Sequence, residues 1–161
     1  MIHIVYIALG TNMGDRLGNL QNAEAALLPA VQVVAASSIY ETAPWGYADQ
    51  PDFLNQVLQG ETELEPLGLL QYMKQLEIEL GRKPSVRYGP RLIDLDILFY
   101  DDLMLETAEL VIPHPRLVER AFVLVPLAEL APDLQHPRNE KIVQALLNEL
   151  DTSGIKLYKR N

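Results

Sequence analysis

Between Ile2 and Tyr100 the chain passes twice from strand-like to helix-like periodicity and back, and this order restricts the fold more than any other feature. Ile2–Leu9 is dense in Ile, Val and Tyr and reads as a strand, ended by Gly10-Thr11-Asn12. Leu17, Leu20, Ala23, Leu27 and Leu28 follow at helical spacing, and Pro29 closes that helix. Val31–Thr42 reads as a second strand. A loop, Ala43–Asp52, holds Pro44, Trp45, Gly46 and Pro51, and Phe53–Thr62 is a third strand. Pro66 suits a first helical turn, Leu69, Leu70, Met73, Leu76 and Leu80 form an apolar stripe, and Gly81 stands where a C-terminal cap belongs. Ile93–Tyr100 is the fourth strand, after which Asp101-Asp102 turns the chain toward Leu103–Leu105. The order β-α-β-β-α-β predicts an α+β protein: a ferredoxin-like βαββαβ sandwich whose sheet is covered by two helices. A C-terminal α/β extension follows, with helices near Val118–Leu130 and Ile142–Leu150 and a last strand at Ile155–Tyr158. At 161 residues the chain is expected to be a single domain, 1–161.

Cysteine is absent, which excludes disulfide frameworks, thiolate metal sites and cysteine nucleophiles. No apolar run approaches the ~20 residues of a spanning helix, so a cytoplasmic protein without a signal peptide and off the membrane is expected. The formal net charge of −9 argues against a nucleic-acid-binding surface, which needs a basic face. Against that background Arg82, Lys83, Arg87 and Arg91 form a basic cluster with no acid between Glu79 and Asp94. Such a cluster is ordinarily solvated surface. Here it runs directly into a pair of carboxylates.

Those carboxylates are Asp94 and Asp96. Strand side chains alternate, so the two point the same way, with Cα atoms roughly 6–7 Å apart. The bland reading is a strand with one wet face. Two like charges so close repel unless something positive sits between them. Magnesium suits the gap, since it takes one or two carboxylates and completes its octahedron with water and phosphate oxygens. Alternation also places Ile93, Leu95, Ile97 and Phe99 on the opposite, core face, and continues the Asp face into Leu98 and Tyr100. Phe53 and Asn55 share another strand face, an aromatic surface beside an amide, which could receive a flat heterocycle. Pro113-His114-Pro115-Arg116 is a rigid turn carrying an imidazole, with Arg120 and Phe122 close behind. Glu77 falls at the edge of its helix stripe, where a surface position is the plain reading.

Arg87-Tyr88-Gly89-Pro90-Arg91-Leu92-Ile93-Asp94-Leu95-Asp96-Ile97-Leu98 resembles the signature of the 6-hydroxymethyl-7,8-dihydropterin pyrophosphokinase family of folate biosynthesis. Ala8-Leu9-Gly10-Thr11-Asn12, Tyr40-Glu41-Thr42-Ala43-Pro44, Gln50-Pro51-Asp52-Phe53-Leu54-Asn55, Glu77 with Gly81-Arg82, and Pro113-His114-Pro115-Arg116 support it in the family's order. The resemblance implies diphosphate transfer from ATP to the hydroxymethyl oxygen of the pterin, with AMP leaving. It implies two magnesium ions on Asp94 and Asp96, consistent with two-metal clamping of entering and leaving oxygens. It implies a pterin between Phe53 and Phe122, its polar edge met by Asn55, Thr42 and the backbone around Ala43 and Trp45. Leu70, Glu77, Arg91, Ile97, His114 and Arg120 would line the nucleotide, Arg82 would reach the phosphates from a closing loop, and Arg82 and Arg91 would be catalytic with Asp94 and Asp96. The partners implied are these two small molecules, and the chain is expected to act as a monomer.

Two other readings stay open from the residues alone. A magnesium-dependent nucleotidyltransferase would release pyrophosphate rather than AMP. A non-catalytic ligand-binding module would keep its ligand affinity after Asp94→Ala and Asp96→Ala.

Overall fold

The computed structural model describes residues 1–44, 49–81 and 92–161. In chain order its elements are β1 (His3–Thr11), α1 (Arg16–Ala26), β2 (Val31–Ala36), β3 (Ile39–Thr42), β4 (Phe53–Thr62), α2 (Pro66–Glu79) and β5 (Asp94–Tyr100). Then come β6 (Leu105–Glu106), β7 (Val111–Ile112), a 3-10 turn (Leu117–Glu119), α3 (Ala121–Leu130), α4 (Val143–Asn148) and β8 (Lys156–Lys159). The strands make a mixed α/β architecture around one antiparallel six-stranded sheet, ordered β5-β1-β4-β3-β8, with β2 also pairing β4. A separate two-stranded hairpin joins β6 to β7.

Alternation along β1 builds two cores. Val5, Ile7 and Leu9 turn to one side, where Leu20 and Ala23 of α1 and Leu69, Met73 and Leu76 of α2 pack on them. Tyr6 turns to the other side with Val57, Leu98 and Phe99, covered by Val123, Leu124 and Leu127 of α3 and Val143 and Leu146 of α4. The C-terminal extension therefore supplies the second layer of the sandwich. Leu124 is fully buried there, so Leu124→Ala would cost about 2–5 kcal/mol through lost transfer energy and a cavity.

Helix ends are settled by particular side chains. Asp15 caps α1 by accepting from the Gly18 N–H at 3.0 Å. The hydroxyl of Tyr72 on α2 donates to the Ala26 carbonyl at 2.8 Å, satisfying an acceptor at the end of α1, with the Leu28 carbonyl 3.2 Å away. Gly81 has φ +99°, the left-handed conformation of a helix stop, and a Cβ there would lie 2.8 Å from Leu92 Cδ2. No helix among the described residues is long and apolar enough to cross a membrane.

Two expectations are corrected. The strand expected over Val31–Thr42 is two strands, broken at Ser37-Ser38. Ser37 Oγ accepts from the Val57 N–H at 2.9 Å and donates to the Ser38 carbonyl at 2.8 Å. The Ser38 N–H donates to the Glu129 carboxylate on α3 at 3.0 Å instead of to a strand. Short hydroxyl side chains offer the backbone local partners and interrupt the ladder. The second correction concerns β5. Tyr6 pairs with Phe99 but Ile7 pairs with Ile97, so Leu98 is an extra residue, a β-bulge. Beyond it the phase reverses: Phe99 joins Leu98 in the second core and Tyr100 returns to the first. Phe99 is thus not on the Ile93–Leu95–Ile97 face, and Tyr100 is not on the Asp face.

Candidate active site

On the second-core face β1 runs Tyr6, Ala8, Gly10, and the side chains shrink toward the strand's end. Register places Ala8 between Val57 of β4 and Asp96 of β5, and Gly10 between Asn55 and Asp94. The missing bulk leaves a cleft of about 440 Å³ that also wraps round the outer edge of β5. It is lined by Thr42, Ala43, Phe53, Asn55, Phe122, Leu70, Glu77, His114 and Arg120 together with Asp94 and Asp96. A Cβ on Gly10 would touch Asn55 Oδ1 at 3.5 Å and Phe53 Cδ1 at 3.9 Å, so this glycine keeps the cleft floor open.

Thr42 and Asn55 are buried, at 7% and 6% exposure, and Asn55 Nδ2 donates to Thr42 Oγ1 at 2.9 Å. That bond fixes the amide. It leaves Asn55 Oδ1 as an acceptor and the Thr42 hydroxyl proton as a donor, a complementary pair for a heterocycle edge. Phe53 and Phe122 supply aromatic lining, and the Arg120 guanidinium carbon stands 5.7 Å from the Phe122 ring centroid.

Glu77 is not a surface residue. It is 6% exposed, and its Oε2 accepts from the Leu95 N–H at 2.8 Å. Because β5 is the last strand on its side, an outward N–H needs a partner from elsewhere, and α2 provides it. On the same strand the His114 N–H donates to the Leu98 carbonyl at 3.0 Å. Two residues of the cleft thus also hold the strand that carries the carboxylates.

His114 Nδ1 accepts from the Arg116 N–H at 3.2 Å, so the neutral ring carries its proton on Nε2. Burial pushes the imidazole below its ordinary value of 6.5, Asp96 opposes that shift, and Arg120 and Arg116 add to it. Asp94 and Asp96 are half-buried. Among the described residues no group of three or more His, Asp or Glu converges. A pair of carboxylates beside open volume fits a hard cation that shares its sphere with substrate phosphate, rather than one in an all-protein cage.

Of the residues expected at the site, Thr42, Ala43, Phe53, Asn55, Leu70, Glu77, Asp94, Asp96, His114, Arg120 and Phe122 meet at one cleft. Ile97 does not line it; its side chain is 3% exposed in the helix-side core. Trp45, Arg82 and Arg91 lie outside the described residues, as do Lys83 and Arg87. The cleft adds Lys74, and also Gly10, which sequence reasoning left without a place at the site. Lys74 follows Leu70 by four residues and precedes Glu77 by three, so helical spacing carried its signal. Gly10 could be found only from strand register.

Residues 6–132 match the family described as 7,8-dihydro-6-hydroxymethylpterin-pyrophosphokinase (HPPK). The chain is 46% identical over 162 residues to the 2-amino-4-hydroxy-6-hydroxymethyldihydropteridine pyrophosphokinase of Bacillus subtilis, covering 99% of this chain and 93% of that one. It is 43% identical over 157 residues to the folic acid synthesis protein fol1 of Schizosaccharomyces pombe, of which it spans only 21%. The fold is similar to that of Plasmodium falciparum HPPK-DHPS, solved with pterin and p-hydroxybenzoate, at a TM-score of 0.74 and 18% identity, over 92% of this chain and 42% of that one. These matches favour pyrophosphoryl over nucleotidyl transfer. The chain belongs to the 7,8-dihydro-6-hydroxymethylpterin-pyrophosphokinase family.

Proposed function

We propose that the cleft holds ATP and 6-hydroxymethyl-7,8-dihydropterin together and joins them at the Asp94–Asp96 pair. The chain is an ATP-dependent pyrophosphokinase of folate biosynthesis. In the proposed step the pterin hydroxymethyl oxygen forms a bond to the β-phosphorus of ATP. The bond from that phosphorus to the oxygen bridging the α-phosphate breaks, AMP leaves, and the hydroxyl proton is released. The observation that carries this reading is the convergence of two carboxylates, two phenylalanines and a buried amide–hydroxyl pair on one cleft.

Phe53 and Phe122 offer faces to the pterin, while Asn55 Oδ1, the Thr42 hydroxyl and the backbone at Ala43 meet its edge. Leu70, Glu77, His114 and Arg120 are assigned to the nucleotide. His114 offers Nε2–H as a donor, and its lowered proton affinity keeps it neutral near pH 7. Asp94 and Asp96 would hold magnesium, two ions in the full reading, which when bound supplies charge neutralisation on the phosphates. Arg82, Arg91 and the contact from Trp45 are assigned from the sequence alone. We read the strand order β5-β1-β4 followed by β2 and β3 as ferredoxin-like, supported by antiparallel pairing throughout. We further assign a single domain over 1–161, a monomer, and a place in the cytoplasm.

The test mixes protein, magnesium, ATP and 6-hydroxymethyl-7,8-dihydropterin and follows AMP. Pterin-dependent AMP is expected; pyrophosphate in its place would overturn the step.

A further inference from the structure

The two residues assigned to the pterin edge and face, Thr42 and Phe53, are register partners at the end of the β3–β4 ladder. Arg16, at the start of α1, grips the residues on either side of that pair. Its Nη1 donates to Glu41 Oε2 at 2.7 Å and to the Asp52 carbonyl at 3.0 Å. The ion pair is about three-quarters buried, with side-chain exposures of 24% and 28%. Beyond it β8 pairs with β3 through Tyr40↔Leu157 and Glu41↔Lys156, so β3 is flanked on both edges. The Arg16 guanidinium carbon lies 5.4 Å from the Tyr158 ring centroid. This last strand falls outside residues 6–132, the part matched to the family.

We propose that Arg16, backed by Tyr158 of β8, is a positioning residue for the pterin: a clasp that sets the spacing of Thr42 and Phe53. The inference rests on the pterin reading above. Among the described residues the guanidinium's partners are Glu41, Asp52 and Tyr158, none of them assigned to the nucleotide, so its loss should separate the two substrates. A charged hydrogen bond in a partly buried site is worth enough to predict a pterin KM raised about tenfold in Arg16→Ala. Arg16→Lys keeps the charge but not the planar fork, and should recover part of the loss. Tyr158→Leu removes a half-exposed ring contact and should raise pterin KM about two- to threefold.

Steady-state kinetics on the full chain with magnesium, ATP and varied pterin test this, with Asn55→Ala as a direct contact control. A rise in pterin KM with ATP KM unchanged is the expected result. Equal losses for both substrates, or an unchanged pterin KM in Arg16→Ala while Asn55→Ala raises it, overturn the clasp. If Asn55→Ala itself leaves pterin KM unchanged, the pterin reading fails instead. The clasp is then decided by the Thr42 and Phe53 amide shifts of Arg16→Ala, which must move for it to stand.

Discussion

Two turns of this chain share the sequence His-Pro-Arg, and they have different duties. In His114-Pro115-Arg116 and in His136-Pro137-Arg138, Nδ1 of the imidazole accepts from the arginine N–H at 3.2 Å. Burial lowers the proton affinity of both rings, and a nearby arginine adds to it in each. The first ring lines the cleft with Asp96 close enough to oppose that shift. The second is 5% exposed and stands edge-on to Phe99, 5.8 Å between centroids. Local sequence therefore fixes the tautomer, while placement in the sandwich decides whether the ring lines the cleft or packs in the core.

The strongest way to sharpen this contrast is to remove the carboxylate that only the first ring faces. Asp96→Asn should lower AMP release about 10³-fold, as losing one preorganised electrostatic group at a reacting phosphate does. Its Tm should stay within about 3 °C of the parent, corresponding to under ~1 kcal/mol. Next, His136→Ala should cost about 2–3 kcal/mol of stability in a denaturant titration, with both KM values unmoved. His114→Ala should do the reverse, raising ATP KM about tenfold with little change in denaturation midpoint. An exchange of these two outcomes would break the comparison.

A smaller effect concerns pH. Both rings bind protons less readily folded than unfolded, so their stabilising contribution is complete above the ordinary value of 6.5. It is lost as the pH falls from about 6.5 through the lower folded values. Tm should therefore drop on acidification in that window, and less steeply in His136→Asn; an unchanged slope would remove His136 from the account. Smallest of all, Lys141→Ala, beside the second turn, breaks an exposed pair with Glu149 at 2.9 Å. It should shift stability by no more than about 0.5 kcal/mol in the same titration.

Much of this was legible in the chain because several elements announce themselves. Phe53–Thr62 is observed with the limits read from its composition, and Pro66 and Gly81 mark α2 as expected, Gly81 following its last turn. The cleft residues were reachable because motif spacing survives whatever the packing does. What failed depended on partners distant in sequence. The break at Ser37-Ser38 is set by Val57 and Glu129, and nothing within Val31–Thr42 names them. The resemblance assigns Glu77 to the nucleotide, but its burial was not legible, because its partner is a backbone N–H of β5. The phase change at Leu98 was hidden for the same reason: alternation is a property of one strand, a bulge of two.

That bulge has a consequence for assembly of the sheet. A regular β5 could slide along β1 by two residues and keep every side chain on its proper face. With one extra residue at Leu98, such a slip would carry the offset away from Tyr6 and Ile7 and send Phe99 or Tyr100 into the wrong layer. The Tyr100 hydroxyl, donating to the Leu64 carbonyl at 2.7 Å, would lose its seat as well. The irregularity thus acts as an indexing notch: it selects one alignment of the strand, the one that sets Asp94 across from Gly10 and Asp96 across from Ala8.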